Sequence, residues 1–221
     1  MKGREIEKIA KDIRRSTGRS YKYKQSDYIN WKIKDGYFFC LDTFLYYDTK
    51  THCMRHELSV KPLYIDDLYW KIIYPHCEMK LPDSRRGNGI LSHLNENIWK
   101  EKTPEILNTE FKVEEFEQKI SDIFLKAEQE ISAFLRKYPH PDLFGDFLAE
   151  NGGGCALNKI LILINQGDFA EAAQLTKERI AAKRGVTNVY VISEGENRQE
   201  KNELEFILEY CQTKITDSIK S

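Results

Sequence analysis

His52, Cys53, His56, His76 and Cys77 form the densest group of metal-ligand side chains in the sequence. Zinc needs about four N or S ligands converging tetrahedrally. On a strand, His52 and His56 share a face while Cys53 points to the other, and the spacing fits no zinc-finger pattern. No specific metal is expected. Cys77 and His93 have the residue types of a nucleophilic pair, but nothing local to either activates a thiolate. Gly152-Gly153-Gly154 precedes a helical pattern, and helix N-termini attract phosphate. A phosphate loop would follow with a Lys-Ser/Thr pair, whereas Cys155-Ala156 follows here, so the run reads as a flexible break. Tyr21-Lys22-Tyr23-Lys24 and Trp31-Lys32 interleave rings with cations, as base-stacking surfaces do. Half-buried strands give the same alternation, with rings toward the core and lysines toward water, and that is the reading adopted. The residues by themselves assign no catalytic group and no cofactor.

The elements that must position these side chains fall into two patterns. Residues 20–60 carry aromatic, period-two runs, and residues 111–219 carry helical ones. Ile6, Ile9, Ala10 and Ile13 predict a short amphipathic helix ending near Gly18. Tyr21 and Tyr23 predict an exposed or edge strand. The segment 28–47 predicts a hairpin turning at Asp35-Gly36. A two-residue loop pairs Ile29 with Asp42. A three-residue loop pairs Ile33 with Tyr37, Trp31 with Phe39 and Ile29 with Leu41. The second sets apolar residues opposite one another, with Asn30, Lys32 and Asp42 on the other face, and is the register expected. A turn at Asp48-Thr49-Lys50 leads to a strand carrying Met54, His56, Leu58 and Val60 on one face and ending at Pro62. Ile65, Leu68 and Ile72 predict a helix stopped before Pro75.

Residues 75–104 hold three prolines and Gly87 and Gly89, and read as irregular connection with a short helix around Leu91–Trp99. A connection of that length is often functional. Phe116, Ile120, Ile123, Ala127, Ile131, Phe134 and Tyr138 predict a long helix stopped by Pro139. Shorter helices follow from Pro141 to Glu150 and from Leu157 to Ile164. Gly167 ends one helix and Asp168 caps the next, with Glu171 at capping-box spacing and Ala172, Ala173, Leu175, Thr176 and Ile180 as its buried face. The stretch 167–173 resembles a tetratricopeptide-repeat turn, but only one copy is present, so a lone helical hairpin is expected. Ser193 and Glu196 again have capping-box spacing. The Glu/Lys-rich run 194–205 reads as the solvated start of a last helix through Leu204, Ile207, Leu208, Cys211, Ile215 and Ile219.

The chain of 221 residues is 41% hydrophobic and 31% charged, which suits a globular protein with a substantial core. No apolar run reaches the roughly 20 residues of a membrane helix, and no secretory h-region follows Met1. A cytoplasmic location is expected. The five widely spaced cysteines argue for reduced thiols. Net charge is −1, yet residues 1–34 carry 11 Lys/Arg against 4 Asp/Glu. The expected fold class is α+β: an antiparallel β-meander with flanking helices over 1–104, then a helical region over 105–221 packed on it or forming a second domain.

The spacing from Ile6 through Tyr23 to the Gly36–Leu45 strand resembles small uncharacterised bacterial α+β families. Some of their relatives are proposed toxin-immunity proteins. The resemblance covers about Glu5 to Ile73 and carries no catalytic residues over. It implies a cytosolic protein-binding module without catalysis. Two alternatives stand beside that expectation. One is an enzyme site assembled from the sheet and the 75–104 connection, and the other is nucleic-acid binding through the basic N-terminal segment. A protein partner is expected, and neither a membrane nor a nucleic acid.

Overall fold

The computed structural model describes residues 3–26, 29–48, 50–78, 80–87, 89–182, 189–194 and 197–220. The expected α+β class is observed. Helix α1 (Gly3–Ser20) is followed by β1 (Lys24–Ser26), β2 (Ile29–Lys34), β3 (Tyr37–Tyr47) and β4 (Thr51–Pro62), then by α2 (Leu63–Ile73). Beyond two 3-10 turns come β5 (Glu96–Lys102) and β6 (Ile106–Leu107). The helices α3 (Val113–Lys137), α4 (Phe144–Glu150), α5 (Ala156–Gln166) and α6 (Phe169–Ala181) follow. A hairpin of β7 (Val189–Glu194) and β8 (Asn197–Asn202) precedes α7 (Glu203–Lys220). The main sheet is an antiparallel meander in the order β1-β2-β3-β4-β5, and β6 also pairs with β4. The chain forms two compact units, residues 1–63 with 82–147, and residues 64–81 with 148–221.

The β2–β3 register differs from the expectation. Ile29 pairs with Asp42, Trp31 with Cys40, Ile33 with Phe38 and Lys34 with Tyr37, so the loop is the two-residue Asp35-Gly36. Both loop residues have positive φ, 51° and 79°, the geometry of the tight turn that matches strand twist. Trp31 is buried as expected, but it shares a face with Phe38 and Cys40 rather than with Phe39. The alternation argument failed because Tyr37 through Leu41 are all buried, so β3 has no polar face there to mark the register.

One face of the sheet holds Tyr37, Phe39 and Leu41, with Leu58 and Val60 beside them on β4. Phe134 of α3 meets Tyr37 and Phe39 edge-on at 5.1 and 5.8 Å. The Tyr37 hydroxyl donates to the His140 carbonyl at 2.6 Å. Helix α1 lies beside α3 and buries the stripe Ile6, Ala10 and Ile13. Arg14 of α1 donates to the Thr43 carbonyl. The opposite face holds Trp31, Phe38 and Cys40, packed with Ile29 and Leu63. Arg86, Gly87 and Leu91 lie over it. Lys61, fully buried, donates to the carbonyls of Arg86 at 2.7 Å and Leu91 at 2.6 Å.

Two further expectations are corrected in the first unit. Tyr21 to Tyr23 are not a strand. Lys22 takes a positive φ of 62°, and Tyr21 and Tyr23 both pack on Phe124 of α3 at 5.7 and 5.2 Å. Residues 96–102 are strand β5 rather than the end of a helix. The register shifts between Leu58 and Ser59, so Leu58 pairs with Trp99 and Ser59 with Asn97. That bulge interrupts the period-two signature. The turn before β4 is as expected: Asp48 Oδ1 accepts from the amides of Lys50 and Thr51 at 2.6 and 2.7 Å. Thr49 and Tyr28 lie outside the described residues.

In the second unit α5 and α6 form the expected hairpin, and α6 also packs on α7. Gly167 closes α5 in the left-handed region, φ 87°. The Asp168 side chain makes no cap hydrogen bond. Its carbonyl instead accepts from the Ala172 amide at 3.0 Å. The run 197–202 is strand β8, not the start of the last helix, and Ser193 lies on β7. Glu196 lies outside the described residues. The capping box belongs to Asn202 and Glu205. The Glu205 amide donates to Asn202 Oδ1 at 3.0 Å, and the Asn202 amide donates to Glu205 Oε2 at 2.7 Å. The Tyr69 hydroxyl of α2 donates to the buried Glu203 carboxylate at 3.0 Å.

Three substitutions test this packing. Gly36→Ala sets a Cβ at positive φ and 2.7 Å from Pro141 Cγ, whereas Gly152→Ala, also at positive φ, meets nothing within 4 Å. Denaturant unfolding should show both destabilised by about 1–2 kcal/mol from strain, with Gly36→Ala worse by a further ~1 kcal/mol or more. Trp31→Ala should cost about 3–5 kcal/mol in the same measurement, as large core truncations do.

Candidate functional site

The candidate site lies in the first unit, on the face of the sheet that carries Met54 and Leu58. Strand β4 runs toward Thr51 beyond the cover that α1 and the middle of α3 provide. There a cavity of about 300 Å³ opens between β4, the turn after β5, β6 and the start of α3. Its lining includes His52, Met54, Thr103, Ile106, Phe111 and Phe116. The period-two pattern of β4 places His52 and Met54 side by side on this face. The helical pattern of α3 turns Phe116 toward it.

Five hydrogen bonds hold the floor. Thr103 Oγ1 accepts from the Met54 amide at 2.8 Å, and the Thr103 amide donates to the Met54 carbonyl at 2.8 Å. His52 Nδ1 lies 3.1 Å from Asn108 Oδ1. The Asn108 side-chain amide donates to the Asp48 carbonyl at 3.1 Å, and its backbone amide donates to the Lys50 carbonyl at 2.7 Å. Asn108 therefore presents its oxygen to the ring, and the imidazole carries its proton on Nδ1. In the neutral ring Nε2 is then an acceptor. It has no protein partner among the described residues, and it is not sealed from the cavity. The ring meets Phe111 edge-on at 5.4 Å, and Phe111 meets Phe116 at 5.3 Å.

The mouth is charged. Glu110, Lys112, Glu115 and Lys119 stand around it. Lys112 pairs with Glu115 at 2.6 Å, and Lys119 with Glu101 at 3.6 Å. An apolar floor with one acceptor and a rim of charges of both signs resembles the core and rim of a recognition surface.

The other residues singled out in the sequence sit apart. His56 follows Met54 on the same face of β4, as expected, and Cys53 points the other way. His56 is fully buried, stacked 6.5 Å from Trp99, with no partner for either ring nitrogen. His76 and Cys77 belong to the second unit, while His93 is exposed in the first. No group of three or more His, Cys, Asp or Glu among the described residues could hold a metal ion. Gly152, Gly153 and Gly154 all have positive φ, and Lys159 Nζ stands where a Cβ on Gly153 would be. The interleaved rings and cations contact each other: Lys32 lies 4.1 Å from the Tyr23 ring and Lys24 lies 4.9 Å from that of Trp31. Lys32 also pairs with Glu128 at 2.6 Å.

Sequence reasoning passed over a second polar cluster, on the opposite sheet face. Cys40 Sγ donates to Asp42 Oδ1 at 3.3 Å, Ser59 Oγ donates to the Cys40 carbonyl at 3.4 Å, and Lys61 lies beside them on β4. Burial pushes the Cys40 thiol well up, and the site is closed to solvent at Cys40 and Lys61. A protonated, sealed thiol is no nucleophile. The described cysteines are all free.

The buried titratable groups predict an unusual acid response. Burial lowers the His56 imidazole to about 4, opposed by the attraction of Glu101 and reinforced by repulsion from Lys119 and Arg14. Burial raises the Asp42 carboxyl to about 6, opposed by the Cys40 thiol and helped by Glu57. Neutral His56 contributes stability above its ordinary value of 6.5 that is lost as pH falls toward 4. Protonated Asp42 contributes stability below its ordinary 3.8 that is lost as pH rises through about 6. The two oppose each other over the same window. His56→Leu should remove the acid-side loss, so that its unfolding free energy falls on rising from pH 4 to 6.5, by at most ~3 kcal/mol. Urea titrations across that range measure the slope.

No helix among the described residues is long and apolar enough to cross a membrane. No family model, curated protein or solved structure matches the chain.

Proposed function

We propose that this chain is a protein-binding module, and that the cavity over His52 and Met54 is the socket of its binding surface. The observation that supports this most is the continuity of the cavity with an exposed apolar strand. Ile106 lines the cavity and is 43% exposed, and Leu107 next to it is 48% exposed. Both lie on β6, which pairs with β4 alone among the described strands. Its outer edge offers backbone donors and acceptors beside the socket, the arrangement that lets a partner segment add to a sheet. The neighbouring edge, β5, carries Glu96, Lys100, Glu101 and Lys102, charges that discourage indiscriminate strand pairing.

The charged mouth suits the same reading. Rim pairs such as Lys112–Glu115 contribute little affinity but steer encounter and exclude water around an anchor. Catalysis draws less support. The carboxylates and amines of the cavity, Glu110, Glu115, Lys112 and Lys119, stand at its charged mouth, and the buried Cys40 thiol lies on the opposite face of the sheet.

Ile106→Asp and Leu107→Asp should each weaken partner binding by about tenfold or more. Leu125→Asp, at an exposed position of α3, should leave binding unchanged. Cross-linked capture with the full chain as bait, quantified for each variant, makes the measurement. A partner lost equally to all three substitutions, or to none, would remove β6 from the interface.

A further inference from the structure

The unpartnered nitrogen of His52 narrows what the socket accepts. His52 is only 5% exposed, its Nδ1–H is committed to Asn108, and its Nε2 has no protein partner among the described residues. An occupant that displaces water from that nitrogen without donating to it leaves a buried acceptor unsatisfied, so one with a donor at that point binds more tightly. The rest of the lining specifies the body of that occupant. Phe111 and Phe116 present ring faces and edges, and Met54 presents a polarisable thioether. The volume, about 300 Å³, lies at the small end for ligand sites and suits a single ring system. Formal charge on the occupant is disfavoured in either sign, because Glu110 and Glu115 stand at the mouth with Lys112 and Lys119. Strand β6 beside the mouth favours an occupant attached to a backbone.

We infer that the cavity takes one aromatic side chain bearing its own hydrogen-bond donor, a tryptophan or tyrosine of the partner, whose N–H or O–H donates to His52 Nε2. The inference rests on the protein-binding reading above and adds the chemistry of the anchor. Tryptophan and tyrosine combine a large apolar area with a polar tip and are the side chains that dominate interface energetics.

The test titrates the full chain with blocked amino acids while the methyl resonance of Met54 is followed by NMR. The probes are N-acetyl-tyrosinamide, its O-methyl ether, N-acetyl-tryptophanamide, its 1-methyl derivative and N-acetyl-phenylalaninamide. The first and third should shift Met54 saturably and bind about fivefold or more tighter than their methylated forms and the phenylalanine probe. In His52→Phe that preference should vanish while weak binding of all five remains. The comparison within the unaltered chain stands even if His52→Phe fails to fold. Equal binding of parent and methylated probes overturns the inference and leaves a purely apolar anchor, with the protein-binding reading intact. No shift of Met54 with any probe also overturns it. A donor preference that depends on His52, combined with partner capture unaffected by Ile106→Asp and Leu107→Asp, would overturn both the partner's side chain as occupant and the protein-binding reading. The site would then be one for a free aromatic molecule.

Discussion

Strand β3 has no solvent face over its first five residues, and the first unit is arranged around that fact. Tyr37, Phe39 and Leu41 need one cover and Phe38 and Cys40 need another. Helices α1 and α3 supply the first, through Phe134 on the two rings and Arg14 on the Thr43 carbonyl. The second is supplied by Leu63 and by Arg86, Gly87 and Leu91, from a segment with short 3-10 turns. Exposing either face would uncover several large rings, each worth about 2 kcal/mol or more of burial.

The irregular segment is held by a charge rather than by packing alone. Lys61 extends from β4 into the interior, and its ammonium is bound by the carbonyls of Arg86 and Leu91. A buried ammonium must be satisfied or it costs several kcal/mol, and the carbonyls of a segment with only short 3-10 turns need donors for the same reason. Each solves the other's problem. Gly87 allows the close approach that this requires: a Cβ there would lie 3.3 Å from Ile29 and 3.5 Å from Phe38. Cys40, Ser59 and Lys61 are thereby buried, and residues with catalytic potential serve as structure.

The cavity arises where the other cover ends. Strands β3 and β4 are 11 and 12 residues long, and they extend past the region that the aromatic cluster of α3 protects. Two histidines four residues apart on one face of β4 meet different fates for that reason. His56 lies under α1 and α3 with no partner and is held neutral by burial. His52 lines the cavity, where Asn108 orients it and leaves Nε2 without a protein partner among the described residues. The tie from Asn108 to Asp48 and Lys50 links the β3–β4 turn to the strand β6 that borders the mouth.

The sequence by itself determined the fold class, the meander, the length of α3 and the points where Pro62, Pro139 and Gly167 stop elements. These are short-range properties: side-chain period, fixed φ at proline and tolerance of positive φ at glycine act within a few residues. It also placed His52 and His56 on one face, because strand geometry alone decides that. It did not determine the β2–β3 register, since alternation marks a register only when one face is wet, and both are buried here. It did not reveal β5, whose bulge interrupts the period, nor β8, a strand built from polar and charged residues. The turn at Tyr21–Tyr23 was hidden because both rings are held by Phe124, about a hundred residues away. The candidate site was legible only as an unexplained histidine. Its partner Asn108 lies 56 residues on, and Phe111 and Phe116 read as ordinary apolar positions. Only the tertiary structure decided that these groups converge, because a cavity is a failure of packing between distant segments and leaves no local periodic signal.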